Sequence, residues 1–342
     1  MEKAASNANE DLIKLSQEVL EFYNIKPDSI SVIQGGSIKT VWKVMTGNGP
    51  VCLKRLKQTY DKAQFSVNAQ IYIRNSGGKV PSILLAKDGQ PIVQYNGQLF
   101  VLYEWLEGRS LDFTVRDDLV PSIQGLAAFH IASKGYVPPD NARVSSKLAK
   151  WPDQYASMKN RMLEWKEISR KNTTSPDHSA YLKHIDAIID IADLALYLLG
   201  KSSYAKLTSP GSSSIVLCHQ DFGRGNALLT NHGVYVLDLD GVTYDLPARD
   251  LRKIIGKRAE GRNLWDKADI NEVVKAYTEV HSLSREEMDI IFIDMVFPHW
   301  YFGLIKNMFQ SGKALKPYEI ERITNLEQSK LALLNALLKR GE

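Results

Sequence analysis

Cysteine is scarce: the chain of 342 residues has two, Cys52 and Cys218, each inside an apolar run and with no C-x-x-C spacing. Neither a disulfide framework nor a zinc site is indicated, and this usage is expected of a protein made in the reducing cytoplasm. Charge of one sign is lacking as well. Lys plus Arg number 43 against 39 Asp plus Glu, and a net charge of +4 is too small for non-specific nucleic-acid binding, so no nucleic-acid partner is expected. Nothing approaches the roughly 18 uninterrupted apolar residues of a membrane span. The start, MEKAASNANEDLIKL, has acidic residues where a secretory signal has its apolar core. The expectation is no signal peptide and no membrane partner. What is present, 44% apolar and 24% charged residues, is ordinary for a globular chain, and the length favours two lobes.

Periodicity orders the chain. Residues 10–24, EDLIKLSQEVLEFYN, suit an amphipathic helix. From Ser29 the runs ISVIQ, TVWKVMT and GPVCLKRL, separated by Gly35-Gly36 and Gly47-Asn48-Gly49, predict three consecutive antiparallel strands. A helix is predicted over 60–75, ended by Gly77-Gly78, and SILLAK, PIVQY and QLFVLYEW are three further strand candidates with Asp88-Gly89 and Asn96-Gly97 as turns. Beyond Gly108 the pattern is helical over 119–133, 150–170, 178–199 and several stretches after Pro247, interrupted by one β island over 215–240. The expected domains are a sheet-rich lobe, 1–107, with a linking segment near Glu104 to Gly108 at its end, and a helical lobe, 108–342.

The most informative stretch is CHQDFGRGNALLTNHGVYVLDLDG, residues 218–241. His219, Asp221 and Asn226 stand in the spacing H-x-D-x4-N, and Asp238-Leu239-Asp240 follows the apolar run VYVL. Short apolar runs joined by an Asn231-His232-Gly233 turn would bring both carboxylate clusters and the amide to one end of a β-hairpin. Phosphoryl transfer needs that set: a carboxylate to orient and deprotonate a hydroxyl, and an Asn with an Asp to hold Mg²⁺ against phosphates. Any single D-x-D is weak evidence; the joint spacing is specific. His219 reads as a buttress of the loop rather than an acid or base.

Lys54, in the apolar strand VCLKRL, would be costly facing inward unless it met an anion, and ATP phosphates are one such anion. For that residue alone a lysine pointing to solvent is an equal reading, and the later motif favours the inward one. Gly35-Gly36-Ser37 would let backbone N–H groups approach phosphates, though alone it is only a hairpin turn. Lys39-Thr40 is preceded by Ile38 and not Gly, which excludes a P-loop.

These residues carry a resemblance. The chain, from about Ser29 onward, resembles the aminoglycoside phosphotransferase and choline kinase branch of the protein-kinase-like fold, and within it the CotS-type spore coat proteins. HQDFGRGN resembles the family's H-x-D-x4-N loop, VLDLDG its metal segment, and DLPARDL its downstream D-x-P-x2-D-L. The resemblance implies an α+β fold with a small antiparallel-sheet N-lobe and a large, mostly helical C-lobe. It implies ATP and Mg²⁺ as cofactors and a hydroxylated small molecule as acceptor, with other spore coat proteins as partners and the spore coat as location. Asp221 would be the catalytic base, Asn226 and Asp238 the Mg²⁺ ligands, and Asp240 a second acidic residue near the metal. Lys54 would pair with the α- and β-phosphates. Glu104, Trp105 and Leu106 would form the hinge whose backbone meets adenine, and Asp250 would anchor the catalytic loop.

The departures are specific. The family's helix Glu, partner of the strand lysine, is missing, since the helix after Asp61 carries no Glu and Gln70 is the nearest polar substitute. Leu239 stands where an aromatic is common. Arg224 either adds positive charge near the transferred group or pairs with a carboxylate. The basic run 249–262, RDLRKIIGKRAEGR, reads first as a solvated helix face and second as an anion surface. FPHWYFGLIKNMF, 297–309, reads as core, with Trp300 and Tyr301 as candidates for stacking on an acceptor. Two functions follow: a small-molecule kinase, or a structural coat component that keeps the fold with little or no turnover.

Overall fold

The computed structural model describes residues 2–34 and 40–339, the side chains of residues 2–8 aside. Gly35, Gly36 and Ser37 lie outside the described residues. In chain order the elements are α1 (Glu2–Leu20), β1 (Pro27–Gln34), β2 (Thr40–Thr46), β3 (Val51–Leu56), α2 (Tyr60–Asn75), β4 (Ile83–Leu84), β5 (Val93–Tyr95), β6 (Gln98–Glu104), β7 (Arg109–Ser110) and α3 (Arg116–Ser133). There follow α4 (Trp151–Arg170), α5 (Pro176–Lys201), α6 (Tyr204–Leu207), β8 (Val216–Cys218), β9 (Ala227–Thr230), β10 (Gly233–Val236) and β11 (Thr243–Asp245). The chain ends in α7 (Ala248–Arg262), α8 (Lys267–Thr278), α9 (Arg285–Val296), α10 (His299–Ser311) and α11 (Pro317–Leu338). The expected kinase-like α+β fold is what this order shows, an antiparallel sheet first and helices after it.

Two compact units are formed. The first takes Met1–Asp112, Ala128–Ser145 and Asp221–Thr243; the second takes Phe113–Ala127, Ser146–Gln220 and Tyr244–Glu342. In the first unit six strands form a sheet in the order β1-β2-β3-β6-β4, with β5 also on β6. Strand alternation sorts its side chains. Trp42, Val44, Leu53, Phe100 and Leu102 pack on one face with Val19 and Leu20 of α1, while Leu56, Leu99, Val101 and Tyr103 pack on the other with Ala63 and Val67 of α2. Lys54, next to Leu53 and opposite Val101 in the register, falls on the α2 face. A second sheet, β10-β9-β7, contains the hairpin whose closing pair is Thr230 and Gly233. Gly108 lets the chain reach that hairpin, because a Cβ there would lie 2.5 Å from the Leu229 carbonyl oxygen.

In the second unit, aromatic stacking fills the space among the helices: the Trp165 ring lies 5.0 Å from that of Phe309 and 5.4 Å from that of Phe302. Tyr301 is fully buried, and a methyl group on Gly256 would overlap the Trp300 ring, so both aromatic candidates for acceptor stacking are committed to packing. Part of the basic run of α7 is also turned inward, while Lys257 and Arg262 are exposed. Arg252 and Arg258 are 9% and 8% exposed; Arg252 meets Asp294 at 3.1 Å, Arg258 meets Asp269, and Arg249 meets Asp245 at 3.3 Å. The solvated-face expectation fails at these positions because carboxylates of β11, α8 and α9 stand behind the helix as counter-ions. The segment Arg285–Ser311 is long and apolar enough to be weighed as a membrane span, but two-thirds of its apolar window is buried and Phe297-Pro298 divides it into α9 and α10. It has the character of a core helix pair.

Candidate active site

The approach to Asp221 is built by a buried carboxylate. Asp250, 1% exposed on α7, accepts the His219 N–H at 2.6 Å on one oxygen and the Gln220 N–H at 2.8 Å on the other. The Lys253 ammonium donates to the Gln220 carbonyl. Gln220 adopts a left-handed φ of 69°, uncommon for a residue that is neither Gly nor Asn, so the turn is imposed by these partners rather than by its own preference. His219 is 1% exposed, in keeping with a buttress.

Asp221 opens the segment that returns to the first unit. The Asn226 N–H bonds to the Gly223 carbonyl at 2.9 Å, closing a turn, and the Asn226 side-chain amide donates to the Asp221 carbonyl at 2.8 Å. Beyond the hairpin the Leu237 N–H bonds to the Asn226 carbonyl at 2.9 Å, which sets Asp238 beside Asn226 at the hairpin's open end. Asp238 has a left-handed φ of 63° and starts the 3-10 turn Leu239–Gly241.

Lys54 reaches this turn. Its ammonium lies 2.7 Å from Asp238 Oδ1 and 2.7 Å from Asp240 Oδ1. Burial alone would push the lysine pKa down, but the Asp240 and Asp238 carboxylates outweigh it and hold the pKa above its ordinary value. Burial drives the neighbouring Cys52 thiol up to about 11, so it is no nucleophile at neutral pH. Among the described residues the donors fit a hard divalent cation: Asn226, Asp238 and Asp240 offer oxygens, and the two carboxylates already converge on one positive charge.

Other sequence-predicted residues lie elsewhere. Gln70 donates to the Pro81 carbonyl at 2.7 Å and is not brought onto Lys54. Glu104 uses its carboxylate on Ser82, accepting the backbone N–H at 2.7 Å and the hydroxyl at 3.1 Å, and its own N–H on the Ser82 carbonyl at 3.0 Å. Trp105 donates its indole N–H to Glu107 at 2.7 Å while Lys43 covers its ring, and Leu106 is half-buried between them in sequence. Arg224, largely exposed, lies 3.4 Å from Asp112, the carboxylate-pairing alternative. Sequence reasoning missed Gln58, which donates to the Asp240 carbonyl at 3.0 Å; a contact across that sequence separation leaves no local signal.

The pattern of the APH phosphotransferase enzyme family matches residues 29–289. Spore coat protein S of Bacillus subtilis (strain 168) is 24% identical over 329 residues, covering 95% of this chain and 94% of the relative. Among solved structures, an aminoglycoside phosphotransferase from Alicyclobacillus acidocaldarius superposes with a TM-score of 0.75 at 17% identity, covering 94% of this chain and 96% of the other. An amicoumacin kinase in complex with AMP-PNP and Ca²⁺ superposes with a TM-score of 0.61 at 13% identity, covering 96% of each chain. A family pattern that spans well over half of the sequence, from β1 into α9, and includes every residue gathered around Lys54 and Asp221 leaves one assignment: the chain belongs to the APH phosphotransferase enzyme family.

Proposed function

We propose that this protein is an ATP- and Mg²⁺-dependent phosphotransferase that acts on a hydroxyl of a small molecule and is deployed in the spore coat. The observation that carries the reading is the gathering, from separate stretches of sequence, of Lys54, Asp238 and Asp240 at 2.7 Å, with Asn226 tied to both the Asp221 carbonyl and the start of the metal turn. Asp221 is the candidate base for the acceptor hydroxyl, Asn226 and Asp238 the candidate Mg²⁺ ligands, and Lys54 the candidate partner of the phosphates. Mg²⁺, when bound, neutralises charge on the transferred phosphoryl group; the chain's own part is to position the nucleotide and hold the acceptor proton's destination. The likeness to spore coat protein S supports the location, and amicoumacin kinase, in complex with AMP-PNP and Ca²⁺, supports the nucleotide and divalent cation.

Calorimetry with MgATP tests this reading. Wild-type protein should bind with Mg²⁺ dependence that Asp238→Ala abolishes, and Asp221→Asn should spare affinity while lowering turnover on the order of 10²- to 10⁴-fold. Absence of Mg²⁺-dependent binding by the wild type would refute it. That outcome would favour the second reading, a structural coat component, which the absence of any α2 carboxylate at Lys54 also supports.

A further inference from the structure

The two carboxylates at Lys54 are held by different parts of the first unit. Asp238 stands on the hairpin side, next to Leu237, whose N–H bonds to Asn226. Asp240 stands on the β3–α2 side. Its main-chain carbonyl accepts from Gln58 Nε2 at 3.0 Å, and Gln58 in turn accepts from the Ser66 hydroxyl of α2 at 3.3 Å. Gln58 follows Lys54 by one strand end, so the Asp240 turn and the lysine share a frame.

Charge balance separates the carboxylates further. Lys54 is 7% exposed on a face lined by Leu99, Val101 and Tyr103. If both Asp238 and Asp240 turned to a metal ion, this buried ammonium would keep only the nucleotide's phosphates as counter-ions and would have no protein carboxylate to fix its direction. Helix α2 has no replacement to offer. Its one acidic residue, Asp61, lies in the first turn, bonded to Thr59 and the Lys62 N–H, and Gln70 is engaged by Pro81.

We propose that Asp240 is a positioning residue for Lys54 rather than a metal ligand: it stays on the ammonium, in the turn clamped by Gln58, while Asp238 is the exchangeable carboxylate that joins Asn226 at the cation. This inference rests on the phosphotransferase reading for its ligands, ATP and a divalent ion. It divides the two carboxylates by what each is tied to, and the division has separable consequences.

The test uses the full chain with Mn²⁺ as the probe, followed by its electron spin resonance signal, and ATP affinity measured by calorimetry in EDTA. Asp240→Asn should weaken metal-free ATP binding by about tenfold or more, through loss of lysine orientation, and leave Mn²⁺ affinity in the nucleotide complex unchanged. Asp238→Asn should do the reverse. Asp240→Glu should restore most of the metal-free ATP affinity, which a purely structural role would not predict. Gln58→Leu, which keeps every charge, should repeat the Asp240→Asn pattern in weaker form and serves if Asp240→Asn fails to fold. Loss of Mn²⁺ binding in Asp240→Asn with intact metal-free ATP binding, or no change in either, overturns the proposal. If the wild type binds no nucleotide at all, the phosphotransferase reading falls separately, and melting of the free protein decides the anchor. Asp240→Asn must then lower Tm more than Asp238→Asn, whose left-handed backbone suits Asn; equal shifts overturn it.

Discussion

Replacing Asp250 by Asn exposes how the segment before Asp221 is held. The carboxylate is 1% exposed and accepts two backbone N–H groups, His219 at 2.6 Å and Gln220 at 2.8 Å, one on each oxygen. Hydrogen bonds to a charged acceptor contribute about 1.5–3 kcal/mol each, against about 1 kcal/mol for a neutral one. Asn keeps one acceptor and turns an NH₂ donor toward the second N–H, so one bond weakens and the other becomes a buried clash of donors. The cost is on the order of 2–4 kcal/mol, the lower end allowing for relief from burying a charge. Urea unfolding followed by tryptophan fluorescence would read this as a lower midpoint at constant m. Under the phosphotransferase reading turnover should also fall, because Asp221 is the next residue and a displacement near 1 Å costs on the order of 10²-fold. A variant with the wild-type midpoint and turnover would refute the reasoning at its root: the two bonds would then be geometric accidents.

Substitutions at two further places probe buried charge in the second unit. Glu327 and Lys330 are fully buried and paired, Glu327 also accepting the Trp300 and Tyr301 N–H groups at 2.9 and 3.1 Å at the start of α10. Glu327→Gln should cost about 3–5 kcal/mol because it strands the lysine, and adding Lys330→Met should recover much of the loss; a double variant no better than the single one in denaturant titration would contradict this. Burial raises the Asp245 pKa from 3.8 to about 6, against the opposing pull of Arg249. Between pH ~4 and ~6 the native state therefore holds a proton that the unfolded chain has released, and stability falls as pH rises through that window, by on the order of 3 kcal/mol in all. Asp245→Asn should gain on the wild type across those pH values and hold its advantage above them, whereas parallel stability profiles would exclude the shift.

Local chemistry made much of the fold legible. The β-rich runs after Ser29 correspond to β1, β2 and β3, the Gly47-Asn48-Gly49 turn joins β2 to β3, the helix predicted over 60–75 is α2, and the Asn231-His232-Gly233 turn joins β9 to β10. SILLAK shrinks to the two residues of β4 because the chain turns at once, the Ala86 N–H bonding to the Gln90 carbonyl across Asp88-Gly89. β7 and β11 escaped because strands of two or three residues have no periodicity; their partners, β9 and β8, define them. The α7 cations show the same limit in electrostatic form. Spacing reveals which side of a helix is basic, but not that Asp245, Asp269 and Asp294 wait behind it.

At the site, residue types were legible and the scaffolding was not, for a physical reason. Carboxylates, an amide and a lysine at characteristic spacing are what the proposed phosphoryl transfer would require, so the candidate residues stand in the sequence as motifs. The groups that orient them act through main-chain atoms, which any residue provides. Asp250 grips backbone N–H groups, Asn226 grips the Asp221 carbonyl, and Gln58 grips the Asp240 carbonyl. Gln220, so held, and Asp238, which follows the Leu237 N–H bonded to the Asn226 carbonyl, have left-handed backbones that L-residues adopt at a cost of roughly 1–2 kcal/mol. A free loop would relax out of such conformations. Their persistence beside Asp221 and at the head of the Leu239–Gly241 turn requires the surrounding bonds to over-determine the backbone, which is the preorganisation that the phosphotransferase reading calls for. Strain and scaffold therefore go together within each unit: bonded acceptors and donors keep the strained backbone in place, at Gln220 in the second unit and before Asp238 in the first.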